Sequence, residues 1–587
     1  MLPHKTHTPN PSRHTSRRSF LALGTGGTLA GTLAGTLAAC SAPSPIGFSP
    51  DAKTDQGTFA HGIASGDPRA DSVLLWTRVS PAQDETADVA VVCEIAEDAA
   101  FTRARRVETR ATPTRDYCVK VVVDGLSPAT TYHYRFRTGT DVSRAGTTRT
   151  LPVGPTDQAR LAVVSCANWQ QGYFHAYDQI ARRHASTPYD ALIHLGDYFY
   201  EYGLRENAVR PHDPANEIVS LTDYRTRHAQ YRTDPSLQAA TALMPIIPIW
   251  DDHESANDSS RDGAENHQPL TEGSWEDRKT AALRAYYEWM PVRDPDTPEH
   301  FWRSYSFGDL ATITAVETRL SARAKSLAVE DYIEMITKGG ADRFKTDILG
   351  DPRREMFGQV QRDFIVDSFA QSKASGQPWR LLANQVIMTR LLTPDLNPYV
   401  PPEAIEQVRT QWEGVDDFLA LSKYNVPLYP DSWDGYPAAR NVFFDALADA
   451  GIRDMMVLTG DAHEFWASNL TDRNGERVGV EFVTSSVSSD TLSKFLGPAT
   501  EDYALLLTRE NADARYYNPL ENGFTDVTLT PGKAVVEMVG VNGLDSPGNY
   551  ESFRVARFTV RPSKNSLKIG APKGLNLKQR ALFAGLG

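Results

Sequence analysis

Short apolar runs that end abruptly in ionisable residues are the main pattern of this chain. Runs such as Leu-Ala-Val-Val at 161–164 and Met-Met-Val-Leu at 455–458 are typical of strands buried on both faces of a sheet. Open α/β sheets bind ligands outside the carboxyl ends of their strands, so we expect the polar residues there to meet at one site. The four segments concerned are 163–166, 194–200, 250–254 and 457–464.

From residue 156 onward, predicted strands alternate with helices, which indicates a central sheet with helices on its faces. The predicted strands are 161–164, 191–195, 244–250, 311–316, 379–383, 455–459 and 479–483. The predicted helices are 174–183, 221–231, 278–289, 354–372 and 440–450. Three late strands, 526–529, 534–541 and 553–560, are expected to form an antiparallel edge of the sheet.

The region before residue 150 has a different rhythm, with short strands at regular spacing. The predicted strands are 72–79, 89–96, 118–123 and 132–137. Segment 126–134 resembles the Leu-x-Pro-x-Thr-x-Tyr corner of fibronectin type III and related sandwiches. We therefore expect a small β-sandwich domain that ends at the linker 152–155.

Composition narrows the class of protein. A chain of 587 residues with 41% hydrophobic content can bury a large core and is expected to hold more than one domain. Its net charge of −13, without a basic patch, argues against a nucleic-acid-binding surface. An acidic enzyme acting on anionic esters needs local positive charge, which bound metal ions supply.

The first 40 residues are expected to be an export signal. Residues 16–21, with Arg17 and Arg18, have the form of a twin-arginine signal. Segment 24–35 contains eight Gly and Thr residues and is too polar for a good membrane anchor. Residues 37–40 resemble a lipoprotein cleavage box, which makes Cys40 the lipidation site of a protein held at the periplasmic cell envelope. The alternative is ordinary cleavage near Ala39 and secretion as a soluble protein.

The expected organisation follows from these patterns. It is a signal with lipobox at 1–40, a flexible tether at 41–58, the β-sandwich domain at 59–152, a catalytic domain at 156–562 and a C-terminal tail at 563–587. The sequence has four cysteines. If Cys40 is lipidated and Cys166 is a metal ligand, Cys93 and Cys118 are the two that could form a disulfide. Strand alternation places Cys93 toward the core and Cys118 toward solvent, which disfavours that bond.

The polar segments suggest metal chemistry, each with a simpler alternative. Asp197 is suited to bridge two cations, whereas Tyr200 would bind one only as a phenolate and could instead pack in an aromatic cluster. Cys166 could be a thiolate ligand or a small core residue.

Two further segments complete the candidate site. If the protein is a phosphoesterase, one carboxylate of segment 251–254 would bind a second cation, and His253 would protonate the leaving oxygen or contact the phosphate; a charged helix cap is the alternative. Asp461 and His463, on alternate positions, could ligate two different metals, unless His463 is a buried core histidine. The polar loop 255–273 directly follows the acidic segment and is a further place for function.

The motifs in order resemble one family. Ser-Cys-Ala, Gly-Asp-x-x-Tyr, Trp-Asp-Asp-His-Glu and Gly-Asp-x-His-x-x-Trp are similar to those of the PhoD family of alkaline phosphatases and phosphodiesterases. That family includes bacterial phospholipase D enzymes and belongs to the calcineurin-like, purple-acid-phosphatase-like metallophosphoesterases. Segments 61–68 and 74–78 resemble its N-terminal signature, so the resemblance extends from about residue 59 to 560.

The resemblance implies an α/β sandwich of mixed sheets flanked by helices, after a small fibronectin-III/Ig-like domain. It also implies Fe³⁺ with one or two Ca²⁺ ions. Iron would be bound by Cys166, Asp197, Tyr200 and His463, with Asp197 bridging, and calcium by Asp252 and Asp461. A further ligand would be Asn384 or Gln385, and phosphate contacts would come from Asn168 and Arg319.

The sequence therefore predicts an exported, metal-dependent phosphoesterase that cleaves phosphate mono- and diesters with a metal-activated water. A phospholipase D acting on phospholipid head groups is the alternative within this class. A non-catalytic cell-envelope binding protein is the alternative outside it. A di-zinc esterase is disfavoured, because the His-x-His clusters of such sites are missing from the sequence.

Overall fold

The described part of the chain is built around two large β-sheets that pack face to face. The computed structural model describes residues 58–81, 86–398, 405–406, 409, 415–496, 500–563 and 566–574. The predicted twin-arginine signal, the lipidation site Cys40 and the tether as far as residue 57 lie outside the described residues. Within those ranges, no helix has the length and apolar character needed to cross a membrane.

The strands begin with the N-terminal region and end close to the C-terminus. They are β1 (Ile63–Gly66), β2 (Ser72–Arg78), β3 (Val89–Ala96), β4 (Arg105–Ala111), β5 (Cys118–Asp124), β6 (Thr131–Thr138), β7 (Asp141–Val142), β8 (Gly146–Arg149), β9 (Ala159–Val164), β10 (Ala191–Leu195), β11 (Pro245–Ile249), β12 (Arg303–Phe307), β13 (Ala311–Ala315), β14 (Trp379–Asn384), β15 (Met455–Thr459), β16 (Phe465–Thr471), β17 (Arg477–Val483), β18 (Ala514–Asn518), β19 (Asn522–Thr530), β20 (Lys533–Val541), β21 (Ser552–Ser563) and β22 (Ser566–Ile569).

The helices of four residues or more follow the strands in alternation through most of the chain. They are His175–Ser186, Leu221–Tyr231, Pro235–Leu243, Pro269–Glu272, Trp275–Trp289, Gly358–Ala374, Val415–Ser422, Pro437–Asp449, Ser493–Leu496 and Thr500–Glu510. Residues 329–349 form a series of short helical turns.

Three sheets result from these strands. The first has the order β22-β21-β20-β19-β9-β10-β11-β1-β2-β5, the second β12-β13-β14-β15-β17-β16-β18, and the third β4-β3-β6-β7 with β8 paired to β6. Strands β9, β10 and β11 are parallel, as are β13, β14, β15 and β17. Strands β19 to β22 form the expected antiparallel edge.

The main core lies between the first two sheets. Alternate residues of β9, β10 and β11 pack against residues of β13, β14, β15 and β17, with both sets fully buried. Helices cover the outer faces: His175–Ser186 and Trp275–Trp289 lie on the first sheet, and Gly358–Ala374 and Pro437–Asp449 on the second. Burial on both faces explains the continuous apolar runs of the sequence. The strand and helix pattern alone indicated one central sheet, whereas the structure has two mixed sheets packed face to face, as the family resemblance implied.

The N-terminal region is a two-layer structure that shares a sheet with the rest of the molecule. Strands β2 and β5 pack on β3 and β6 in a common core, and β1 joins them to β11 in parallel pairing. Tyr132 Oη accepts a hydrogen bond from the backbone N–H of Ser127 at 2.8 Å, which closes the turn predicted at 126–134.

Cys118 corrects the sequence interpretation of β5. Its side chain is buried against Trp76 and Trp289, because helix Trp275–Trp289 covers the face that strand alternation alone assigned to solvent. Cys93 lies in the core on the opposite layer, and the two cysteines are unpaired.

Candidate active site

The polar segments meet where the carboxyl ends of β9, β10 and β11 face those of β14 and β15. Two glycines allow the loops to approach each other closely. A Cβ on Gly196 would lie 2.4 Å from Cβ of Asp251, and one on Gly460 would lie 2.3 Å from Oγ of Ser165. Any larger residue would separate the loops that carry the candidate ligands.

Four candidate ligands have left-handed backbone conformations. The φ angles are 59° at Cys166, 53° at Asp197, 64° at Asp461 and 62° at His463. Such conformations cost about 1–2 kcal/mol each for residues other than glycine. Strain of this kind concentrates at functional sites, where the surrounding structure enforces it.

One group of side chains combines a thiol, a phenol, an imidazole and a carboxylate. Asp197 Oδ2 lies 3.3 Å from both Cys166 Sγ and Tyr200 Oη. Tyr200 Oη lies 3.1 Å from Nε2 of His463. Ligand atoms of Cys166, Asp197 and His463 all lie within 4.8 Å of one another. These four residues form what we call the mixed-ligand cluster.

Outer contacts orient this cluster. His463 Nδ1 lies 3.0 Å from the carbonyl oxygen of Asp490, so Nδ1 donates the hydrogen bond and Nε2 is left to act as a ligand. The hydroxyl of Ser489 donates to Tyr200 Oη at 2.7 Å. Burial raises the pKa of the Cys166 thiol well above its usual value, and the carboxylate of Asp197 raises it further. A thiolate at this position therefore requires a cation beside it.

A second group consists of carboxylates. Oxygens of Asp197, Asp251, Asp252 and Asp461 lie within 4.8 Å of one another, and Asp252 also groups with Asp258 and Asp431. We call these six residues the carboxylate cluster. Asp197 belongs to both clusters, which is the position expected of a bridging ligand.

Arg319 lies within the carboxylate cluster. Its Nε donates to Asp251, and one terminal nitrogen lies 2.6 Å from Asp431. The other terminal nitrogen lies 3.5 Å from Asp252 and 3.7 Å from Asp461. The guanidinium is thus shared among carboxylates, and the phosphate contact that the family resemblance implies for it stays a prediction.

Asn384 and Gln385 have different surroundings. The Gln385 side chain donates to the carbonyls of Trp250 and Val316 and accepts from Thr318 Oγ1, so its amide is fully used. Asn384 donates from Nδ2 to the Val386 carbonyl, while its buried Oδ1 has no hydrogen-bond partner among the described residues. A buried, unused acceptor beside β15 favours Asn384 as the oxygen ligand.

His253 borders the carboxylate cluster. Its Nδ1 lies 2.6 Å from Oε2 of Glu201. Burial lowers the pKa of His253, but the carboxylates of Glu201, Asp252 and Asp197 outweigh it and raise the pKa to about 10. The neighbouring carboxylates therefore favour the protonated form of the imidazole.

Asn168 and Glu254 shape the loops. Asn168 Oδ1 accepts from the backbone N–H of Gln170, which leaves its amide nitrogen as the part able to donate to an anion. The buried Glu254 carboxylate accepts backbone N–H groups of Asp197, Tyr198 and Asp251 at 2.6–3.0 Å. Glu254 thus ties the two acidic loops together.

Sequence reasoning assigned no role to several residues that the fold brings to the site. Glu201 stands next to the predicted ligand Tyr200, so adjacency was an available signal. Glu254 belongs to the acidic segment 251–254, in which one carboxylate was expected to bind a cation. Asp258 lies in the polar loop already singled out. Asp431 and Ser489 lie in segments without a recognised motif, and their positions depend on the tertiary fold.

The donor set fits bound cations. Several buried carboxylates converge with few positive groups, and buried like charges are stable only when they are compensated. Thiol, phenol and imidazole donors suit a transition metal, and a site of oxygens suits a hard cation such as Ca²⁺. Fold and site together are those of an α/β metalloenzyme.

Comparison with known proteins gives the family. The chain belongs to the PhoD-like phosphatases: the model of that family matches residues 161–538, and the model of its N-terminal domain matches residues 42–152. The chain is 31% identical over 533 residues to alkaline phosphatase D of Bacillus subtilis (strain 168), covering 87% of this chain and 82% of that protein. A solved structure described as the structure of PhoD aligns with a TM-score of 0.72 and 28% identity, covering 91% of this chain and 98% of the other.

Proposed function

We propose that this protein is a metal-dependent phosphoesterase that hydrolyses phosphate mono- and diesters by attack of a metal-activated water. The observation that carries the proposal is the convergence of the mixed-ligand and carboxylate clusters on Asp197. The relationship to alkaline phosphatase D supports the same reaction class.

We propose Fe³⁺ for the mixed-ligand cluster and one or two Ca²⁺ ions for the carboxylate cluster. A phenolate and a thiolate favour a strongly Lewis-acidic transition metal, which supports iron beside Cys166 and Tyr200. Carboxylate oxygens of Asp252 and Asp461, with the unused Oδ1 of Asn384, suit calcium.

The bound cations would supply a water of lowered pKa and neutralise charge on the phosphoryl oxygens. Around them, the chain's own residues position the substrate and the proton. The Asn168 amide would donate to a phosphoryl oxygen. Arg319 would hold the acidic loops together through its contacts with their carboxylates. As the attacking oxygen bonds to phosphorus and the ester P–O bond breaks, the proton on His253 Nε2 would pass to the leaving oxygen. A proton released by the attacking water restores His253.

A substrate panel run beside elemental analysis tests this function. We expect hydrolysis of p-nitrophenyl phosphate and bis-p-nitrophenyl phosphate, with iron and calcium in the purified protein. Calcium chelation should abolish activity, and added Ca²⁺ should restore it. Phosphatidylcholine in the same panel distinguishes the phospholipase D alternative from the proposed function. A metal-replete protein inactive on every phosphate ester would contradict the proposal.

Export and domain layout are proposed on the sequence patterns. We place the protein at the cell envelope after twin-arginine export, anchored through lipid on Cys40, with a tether at 41–58 and a catalytic domain at 156–562. The Ser127–Tyr132 turn supports a fibronectin-III-like N-terminal domain. Replacing Arg17 and Arg18 by Lys should retain the protein in the cytoplasm, whereas normal export of that variant excludes the route.

A further inference from the structure

Glu201 is a buried carboxylate whose two oxygens have different partners. Oε2 lies 2.6 Å from Nδ1 of His253. Oε1 accepts the backbone N–H of Asn257 at 2.7 Å and Nδ2 of Asn266 at 2.9 Å. Asn257 and Asn266 belong to the loop that follows the acidic segment 251–254. Glu201 therefore links that loop to the imidazole.

Two aromatic rings contact the His253 ring in addition to the Glu201 carboxylate. The ring of Tyr200 lies 4.1 Å from it between centroids, and the ring of Tyr202 packs edge-on at 5.3 Å. Both tyrosines flank Glu201 in the chain, so one short segment supplies the carboxylate and both aromatic contacts. With Nδ1 engaged by Glu201, Nε2 is the ring nitrogen available to a substrate.

Glu201 differs from the structural carboxylates nearby. Glu254 accepts the backbone N–H groups of Asp197, Tyr198 and Asp251, and it fixes loop geometry. Glu481 accepts backbone N–H groups and threonine hydroxyls inside the second sheet. Glu201 instead directs one oxygen to a side chain that borders the carboxylate cluster. A charge-assisted bond of this length fixes the direction of the ring and keeps a proton on Nδ1.

We propose that Glu201 is a positioning residue: it holds His253 through Nδ1 so that Nε2 meets the leaving oxygen of the substrate. The proposal rests on the phosphoesterase function proposed above. It adds a residue that acts on the substrate only through another side chain. Glu201 should consequently matter most where the leaving oxygen needs a proton.

Esters with different leaving groups test this role. p-Nitrophenolate leaves as the anion and needs no proton. An alkoxide leaving group must receive a proton as it departs. In Glu201→Gln, we expect kcat for an alkyl phosphate to fall about a hundredfold and kcat for p-nitrophenyl phosphate to fall less than about tenfold. A residue that merely supports the fold would lower both rates equally, and that result would overturn the proposal.

Two further variants show whether Glu201 acts through His253. In a His253→Gln background, adding Glu201→Gln should change neither rate further, because the side chain it positions is gone. Additive losses would contradict the inference. Glu217→Gln is the matched control, since Glu217 lies on the same segment and pairs with Arg278 at 2.8 Å. It should leave the ratio of alkyl to p-nitrophenyl rates at the wild-type value.

The shorter variant Glu201→Asp covers the case in which Glu201→Gln does not fold. Its carboxylate is withdrawn from Nδ1 by one methylene, so an intermediate, alkyl-selective loss is expected and a uniform loss overturns the proposal. Wild-type protein with full metal content that cleaves neither ester would refute the phosphoesterase function itself. Wild-type activity with an unselective Glu201 defect would refute the positioning role alone.

Discussion

Tyr200 Oη lies 3.1 Å from His463 Nε2, although 263 residues separate them in the chain. One follows a strand of the first sheet and the other a strand of the second. Their contact is therefore a direct consequence of packing the two sheets face to face. It also places a phenol and an imidazole around Asp197, which lies 3.3 Å from Tyr200 Oη.

Tyr200→Phe should remove a metal ligand without changing ring packing. We expect loss of the visible charge-transfer band of a tyrosinate–iron centre, lower iron content, and activity reduced by at least the 10–100-fold typical of lost metal-site contacts. Absorption spectra and elemental analysis measure the effect. Tyr198→Phe is the control, since Tyr198 packs in the adjacent aromatic core. An unchanged band in Tyr200→Phe would contradict the ligand assignment.

Ser489→Ala should shift that band rather than abolish it. The Ser489 hydroxyl donates to Tyr200 Oη at 2.7 Å, and its loss leaves more charge on the phenolate. The band should move to longer wavelength. Ser488→Ala is the matched control, because that hydroxyl donates to the Asn168 carbonyl instead. Equal spectra for both variants would argue that Ser489 does not act on the phenolate.

Acid should destabilise the fold below about pH 6.5. Burial lowers the pKa of His61, His194 and His228 to about 3 and that of His212 to about 2. The unfolded chain binds these protons first, so stability is full above the unfolded pKa and falls as pH decreases toward the folded values. Each group contributes up to about 1.4 kcal/mol per pH unit.

Thermal melting between pH 7.5 and 5 measures this effect. His228→Gln removes one buried group, so its melting temperature should depend less steeply on pH than that of the wild type. His300→Gln, at an exposed position, should keep the wild-type slope. Equal slopes for wild type and His228→Gln would mean that this histidine does not contribute to the acid transition.

Individual strands were predictable where their local sequence pattern is sufficient to identify them. The expected bounds of β10 and β15 coincide with the observed strands Ala191–Leu195 and Met455–Thr459, because both are short, mostly apolar runs followed by a Gly-Asp pair. Strand β16 was missed because it begins at Phe465, directly after the polar segment that drew attention to chemistry. The strand pattern alone did not predict the second sheet, since it does not say which strands share a sheet; the family resemblance implied the sandwich.

The candidate ligands were identifiable because each ends a strong strand, and the fold brings these strand ends together. Residues that contact the side chains of the site, rather than a metal or substrate, were harder to identify. Glu201 orients a side chain through a contact across 52 residues, and Asp431 reaches Arg319 across 112. Cys118 was assigned to solvent because alternation within β5 contains no information about the helix that covers it.

Asp197 is the residue on which the account depends, since both clusters share it. The most direct measurement is the rate of p-nitrophenyl phosphate hydrolysis by purified Asp197→Asn, with metal content determined on the same sample. We expect activity reduced by at least about a thousandfold, together with loss of bound metal. An Asp197→Asn protein that retains its metals and cleaves the ester within about tenfold of the wild-type rate would contradict the proposed site.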